Sequence, residues 1–351
     1  MRKTAWAALI LISLATSSCC RRPKIDRHVA VLQPQHVLEL SKRVPWTVSS
    51  RFEAERQITF GDNSELVVTT GGGSFNSPGD VHGFVIDAKA GTVKREAAWQ
   101  ARAWAYIFGT ADGDYAVLTD KGVSLYSPGL LTVLTTAAHE APTYITPDGQ
   151  YLAAWEQRPG PHGTIYFLDS RTLKRSGPEF VDKNLESVAP DRLATTVLIV
   201  QSHAMEVQIL SRQGMIGQFE AGCGEGRPRF LSADLLAVLG CQQIQVATTQ
   251  GNLLFTAKLE GWLPYLAAVS RNGNRFAVLE QFSRPGDPAT LCWERVTVFD
   301  VTKRQAIATV ALDDLNGMTE GPYASAVALS PDGSRLAVDS RGVLRIYSIG
   351  N

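Results

Sequence analysis

The chain has 351 residues with 34 basic and 34 acidic side chains, 44% hydrophobic and 19% charged. That composition is globular, and it excludes a disordered polymer. With no basic excess and no run of basic residues, it gives no sign of a nucleic-acid binder.

The first element is an export signal. Arg2 and Lys3 precede an uncharged, mostly apolar run from Ala5 to Ala15, then Thr16-Ser17-Ser18 and Cys19-Cys20. Eleven residues are too few to span a bilayer, so the run reads as a signal peptide over 1–18. The stretch resembles a bacterial lipoprotein signal, which implies a lipid on Cys19, although Thr16 stands where such signals usually carry Leu. The expected location is the periplasm or cell envelope, with the membrane reached only through that lipid. Removal of the leader takes away two basic residues and leaves a charge of about −2. No later segment has the apolar length of a transmembrane helix. Residues 19–35 read as a linker.

A strand is expected at 36–44 (HVLELSKRV), with Leu38 and Leu40 on one face and Glu39 and Ser41 on the other. After it the chain repeats. The fragments are FGDNSELVV (60–68), TADGDYAV (110–117), TPDGQYLAA (146–154), VAPDRLATT (188–196), LSADLLAV (231–238), SRNGNRFAV (270–278) and SPDGSRLAV (330–338). Leu66, Tyr115, Leu152, Leu193, Leu236, Phe276 and Leu336 mark the strand in each, at spacings of 49, 37, 41, 43, 40 and 60. Each has a downstream strand–turn–strand partner, such as HGFVIDAKAGTV (82–93), GTIYFLDSRTLKR (163–175) and RVTVFDVTKRQAI (295–307).

In TIYFLD, Ile165 and Phe167 point one way, Tyr166 and Leu168 the other. A strand apolar on both faces is buried on both. Four-stranded antiparallel sheets covered on both faces and repeated along the chain describe a β-propeller. The expectation is an all-β fold of seven four-stranded blades over 36–351. The last unit ends after its third strand, so 36–44 is expected to supply the fourth and close the ring.

The turn Pro147-Asp148-Gly149, its copy Pro331-Asp332-Gly333, and the strand ends Ile86-Asp87, Leu168-Asp169 and Phe299-Asp300 carry a resemblance. They are similar to the bacterial WD-repeat-like propellers, including the lactonase-like ones. The resemblance implies fold more than function. The Trp-Asp and Gly-His pairs of true WD repeats are missing, so their buried His-Asp-Trp network is not implied.

Chemistry is sparse. Gly71-Gly72-Gly73 follows a strand but opens no helix and has no Lys, so it lacks phosphate-loop geometry. His82, His139 and His162 fall on one rim, where convergence would make a metal or acid–base site, but such residues are more often exposed loop histidines. There is no Gly-x-Ser-x-Gly elbow, and no cofactor or metal is implied. Cys223 and Cys241 flank one hairpin and are expected to form a disulfide, the alternative being two small buried hydrophobes.

The long loops 70–83, 156–163, 281–294 and 313–322 all fall on the rim opposite the Pro-Asp-Gly turns. Candidate partner contacts there are Phe75, Arg158, His162, Phe282, Arg284, Trp293 and Met318, since aromatic and Arg side chains dominate binding hot spots. The leading expectation is a non-catalytic scaffold of the cell envelope that engages a protein or extended ligand through this rim. The alternative is an enzyme that hydrolyses a lactone or similar ester at the channel mouth.

Overall fold

The computed structural model describes residues 28–43, 57–71, 77–101, 106–138, 142–157, 163–177, 179–182, 185–190, 196–201, 206–211, 214–220, 227–240, 242–284, 287–312, 318–319 and 325–350. Four consecutive strands make the first sheet: Gln57–Phe60, Glu65–Gly71, Gly79–Asp87 and Thr92–Ala101. The second (Ile107–Gly109 to Val133–Ala137), third (Pro142–Ile145 to Phe180–Asp182), fourth (Leu185–Pro190 to Gly214–Glu220) and fifth (Arg227–Phe230 to Leu253–Lys258) repeat that meander.

The sixth sheet holds Trp262–Val269, Arg275–Arg284, Asp287–Asp300 and Gln305–Leu312. Ala30–Val31 joins its outer edge in parallel, and Met318–Thr319 pairs with Thr290 and Leu291. The last sheet combines Ser325–Leu329, Arg335–Ser340 and Val343–Ser348 with His36–Glu39, whose Leu38 lies opposite Leu344.

The expectation of seven four-stranded blades is therefore corrected. Six sheets have four strands, and the sheet at 262–312 has six. One extra strand is Ala30–Val31, from the stretch read as a linker; the other, Met318–Thr319, adds to the stretch 281–294, read from sequence as a loop. That stretch instead prolongs a hairpin, with Phe282 opposite Trp293 and Ser283 opposite Leu291. The supposed loop 70–83 shrinks too, because strands run to Gly71 and resume at Gly79. Between Phe60 and Val343 the apolar clusters fall between neighbouring sheets. Val67 and Val85 of the first sheet meet Tyr115 and Val117 of the second, and Leu125 of the second meets Leu152 and Tyr166 of the third. Phe276 and Phe299 of the sixth stack at 5.1 Å and pack on Leu239 and Val246 of the fifth. Each such side chain contributes about 1.5–3 kcal/mol on leaving water, which is why the inner strands are apolar on both faces.

The repeated turn has a defined hydrogen-bond pattern. The Ser330 hydroxyl donates to Asp332 at 2.7 Å and accepts from the Arg335 N–H at 2.9 Å. Thr146 does the same with Asp148 and Tyr151, and Ser270 with Asn272 and Arg275. Gly149 has φ +76°, and a Cβ there would lie 2.7 Å from the Ala111 nitrogen of the neighbouring sheet. Glycine is thus required twice, by conformation and by space. The Asp that ends the third strand caps the next turn. Asp87 accepts from Lys89 and Ala90, and Asp169 from Arg171 and Thr172.

Candidate functional site

The two kinds of turn lie on one rim and are tied together. Ala88, Ser170, Thr249 and Val301, each from a third-to-fourth turn, and Ile349, just past the third strand of the last sheet, donate backbone N–H groups to the first-to-second turn of the same sheet, at 2.7–2.9 Å. Between sheets, Ala111 donates to Gly149 O, Asn272 to Pro331 O, and Asp332 to the Asn63 side chain. Backbone groups on this rim are largely spent on one another.

On the opposite rim the long hairpin of the sixth sheet is fixed by a buried polar cluster. Glu280 is fully buried and receives both Arg295 Nε at 2.8 Å and Nη2 at 2.9 Å. It also accepts from the Glu260 and Gly261 N–H groups and from the Thr297 hydroxyl. Glu260 approaches Arg295 Nη1 at 3.3 Å. Burial works against the Arg295 charge, but Glu280 and Glu260 outweigh it and hold the guanidinium above its ordinary pKa. Beyond the cluster, Phe282 and Trp293 stack at 3.9 Å with planes 1° apart.

The expected contact residues divide. Phe282 and Trp293 are brought together across the hairpin, and Trp293 is only 6% exposed, so it is part of the hairpin's packing and not an open loop side chain. Arg284 lies opposite Asp287 at the hairpin end, and Met318 pairs with Leu291. Phe75, Arg158, His162, His139, Cys19, Cys223, Cys241 and Leu193 lie outside the described residues. His82 is not on a loop but in a strand, opposite Thr70. Among the described residues no group of three metal-binding side chains converges.

The innermost strands enclose a cavity of about 400 Å³, lined from six of the sheets. Its wall carries Tyr106, Phe108, Tyr144 and Tyr265, with Arg229 and Arg271 among them. Tyr106 and Phe108 stack at 6.0 Å. The Arg229 guanidinium lies 5.5 Å from both the Tyr144 and Tyr265 ring centres and donates to the Tyr265 hydroxyl at 3.1 Å. Burial pushes the Tyr144 hydroxyl up to about 12, against the pull of Arg229, so it stays protonated at neutral pH.

Arg271 occupies the turn position that proline holds at Pro147 and Pro331. Its Nη2 donates across the rim to Gly61 O at 3.2 Å and Gly109 O at 3.3 Å. Burial draws its pKa down, and Tyr115, Asp148, Asp62 and Asp112 only partly offset this. Sequence reasoning missed both arginines. The missing proline at Arg271 was a usable signal; Arg229 offered none.

No protein-family model matches the chain, and no curated protein does. Solved structures do match. One is a chain of the "Crystal Structure of Mitotic Checkpoint Complex", at 14% identity over 94% of this chain and 100% of that one, with a TM-score of 0.56. Another is the β-propeller domain of Myceliophteria thermophila Cps50 (Swd1), at 12% identity over 87% of this chain and 99% of that one, with a TM-score of 0.52. The fold is that of a β-propeller. Likeness at this identity extends to the fold of the propeller and not to its partners.

Proposed function

We propose that this propeller is a non-catalytic, exported binding scaffold that holds a protein or extended ligand on the rim opposite its Asp-Gly turns. The observation that carries this is the hairpin of the sixth sheet. Its strands run 10 and 14 residues, against 6 and 6 for the equivalent strands at 335–348. At about 3.3 Å per residue, four extra residues carry it roughly 13 Å further. The Glu280–Arg295 cluster and the Phe282–Trp293 stack stiffen it. A stiff projection loses little entropy on binding, which favours recognition.

In this reading the leader exports the chain, a lipid on Cys19 tethers it to the cell envelope, and His36–Glu39 fastens the ring from the N-terminal side. Deleting residues 36–44 then uncovers Val343–Ser348 and lowers the melting temperature; unchanged melting rejects the fastening. The binding test is photo-crosslinking in the native host from position 284, with position 303 on the turn rim as control. A discrete protein adduct from 284 and none from 303 is expected. Equal labelling from both, or none from 284 and its neighbours 287 and 288, overturns the scaffold reading.

A further inference from the structure

Two other arginines withdrawn from water are matched with acid: Arg295 with Glu280 and Glu260, and Arg275 with Asp300 at 3.7 Å. The channel differs. Its lining includes Arg229 and Arg271 and, among the described residues, no Asp or Glu. A guanidinium offers five N–H donors. Arg229 spends one on the Tyr265 hydroxyl and has no other hydrogen-bond acceptor and no ion pair among the described residues. Arg271 donates only to backbone carbonyls. Asp148, Asp62 and Asp112 partly offset the Arg271 charge from outside the lining, but Arg229 faces the cavity with no acid in its wall, an arrangement that costs free energy unless an anion completes it.

We propose that the channel binds a small organic anion, with a carboxylate or phosphate group held by Arg229 within the field of Arg271. The planar fork of arginine matches both groups in bidentate fashion. The Tyr144 and Tyr265 rings flank the guanidinium and hold it in place, while Phe108 supplies apolar wall for the body of the ligand. The cavity of about 400 Å³ sits at the lower end of the range for small-molecule sites, roughly 300–1,000 Å³, and admits no folded partner. This site is separate from the rim that binds the protein partner, and either assignment stands if the other fails.

The test is isothermal titration of the purified protein with inorganic phosphate and with benzoate, at ionic strength fixed with chloride. Saturable one-to-one binding of at least one probe is expected, and the probe that binds tells phosphate from carboxylate. Arg229→Gln is expected to weaken binding by about tenfold or more. Arg171→Gln, an exposed arginine on the turn rim, is expected to leave it unchanged. Arg229→Lys keeps the charge but loses the planar fork; it gives the same reading if Arg229→Gln does not fold. Absence of saturable binding by both probes overturns the proposal, as does equal binding by the wild type and the Arg229 variants, or an equal loss in Arg171→Gln.

Discussion

The hairpin of the sixth sheet and the wall of the channel each take an arginine out of bulk water, and they treat it in opposite ways. In the hairpin, Arg295 meets a fully buried Glu280 through two hydrogen bonds, and Glu280 is itself satisfied by two backbone N–H groups and a hydroxyl. In the channel, Arg229 has two tyrosine rings and one hydroxyl. The first arrangement closes on itself and fixes a shape. The second keeps its donors for something that is not part of the wall. Structural and functional roles for one residue type are separated here by whether the charge is already answered.

That contrast breaks most visibly at Arg295. Arg295→Met leaves the buried Glu280 carboxylate without its cation, and a loss of about 3–5 kcal/mol is expected in urea unfolding. A loss under 1 kcal/mol would mean that the backbone and Thr297 donors suffice without the cation. Next comes Trp293→Ala. It removes the ring stacked on Phe282 and opens a void in a side chain only 6% exposed. The expected cost is about 3 kcal/mol, with reduced crosslinking from position 284 as the hairpin loosens.

Much of this architecture was legible from the chain. Leu66, Tyr115, Leu152, Leu236, Phe276 and Leu336, aligned by their turns, all fall in the second strand of a sheet. Four of them were readable because turn chemistry is local: Ser or Thr, then Asp or Asn, then Gly at positive φ (Gly113, Gly149, Gly273 and Gly333) writes itself into consecutive residues. The marker of the fourth unit, Leu193, lies outside the described residues, and the second strand described there is Thr196–Gln201. The hairpin at 281–294 was misread because Arg-Pro-Gly-Asp (284–287) looks like loop chemistry, and cross-strand stacking of Phe282 on Trp293 is not visible along the chain. The channel site was hidden for a deeper reason. Arg229 and Arg271 come from neighbouring sheets 42 residues apart in the chain, and only the packing of those sheets side by side brings them to one cavity.

A smaller effect sharpens the same contrast through pH. Burial pushes the Asp300 carboxyl up, but the Thr302 hydroxyl, the Lys303 N–H, Arg275 and Lys303 outweigh it and hold its pKa below the ordinary 3.8. Folding therefore releases protons near that value. The stability from Asp300 is present above about pH 4 and is lost as pH falls through the lower folded value. Asp62, Asp87 and Asp332 are shifted in the same direction. The urea midpoint is expected to stay level from pH 7 to about 4 and fall below it. Asp300→Asn is expected to cost about 1 kcal/mol at pH 7, with the gap closing by pH 3. A gap that persists at pH 3 would assign the loss to hydrogen-bond geometry instead of charge.

The smallest stability change is expected where the charge has no answer. Arg229→Met keeps the length of the side chain and its contact with Tyr144 and Tyr265, removes one hydrogen bond, and relieves a cation held against a wall without acid. These terms oppose each other, so unfolding is expected to shift by no more than about 1 kcal/mol in either direction. The comparison with Arg295→Met is then a direct measure of what separates the two regions. If Arg229→Met instead costs as much as Arg295→Met, the channel arginine is holding the ring together and its donors are not in reserve. If it unfolds like the wild type yet no longer binds phosphate or benzoate, the charge contributes to ligand recognition and little to the fold.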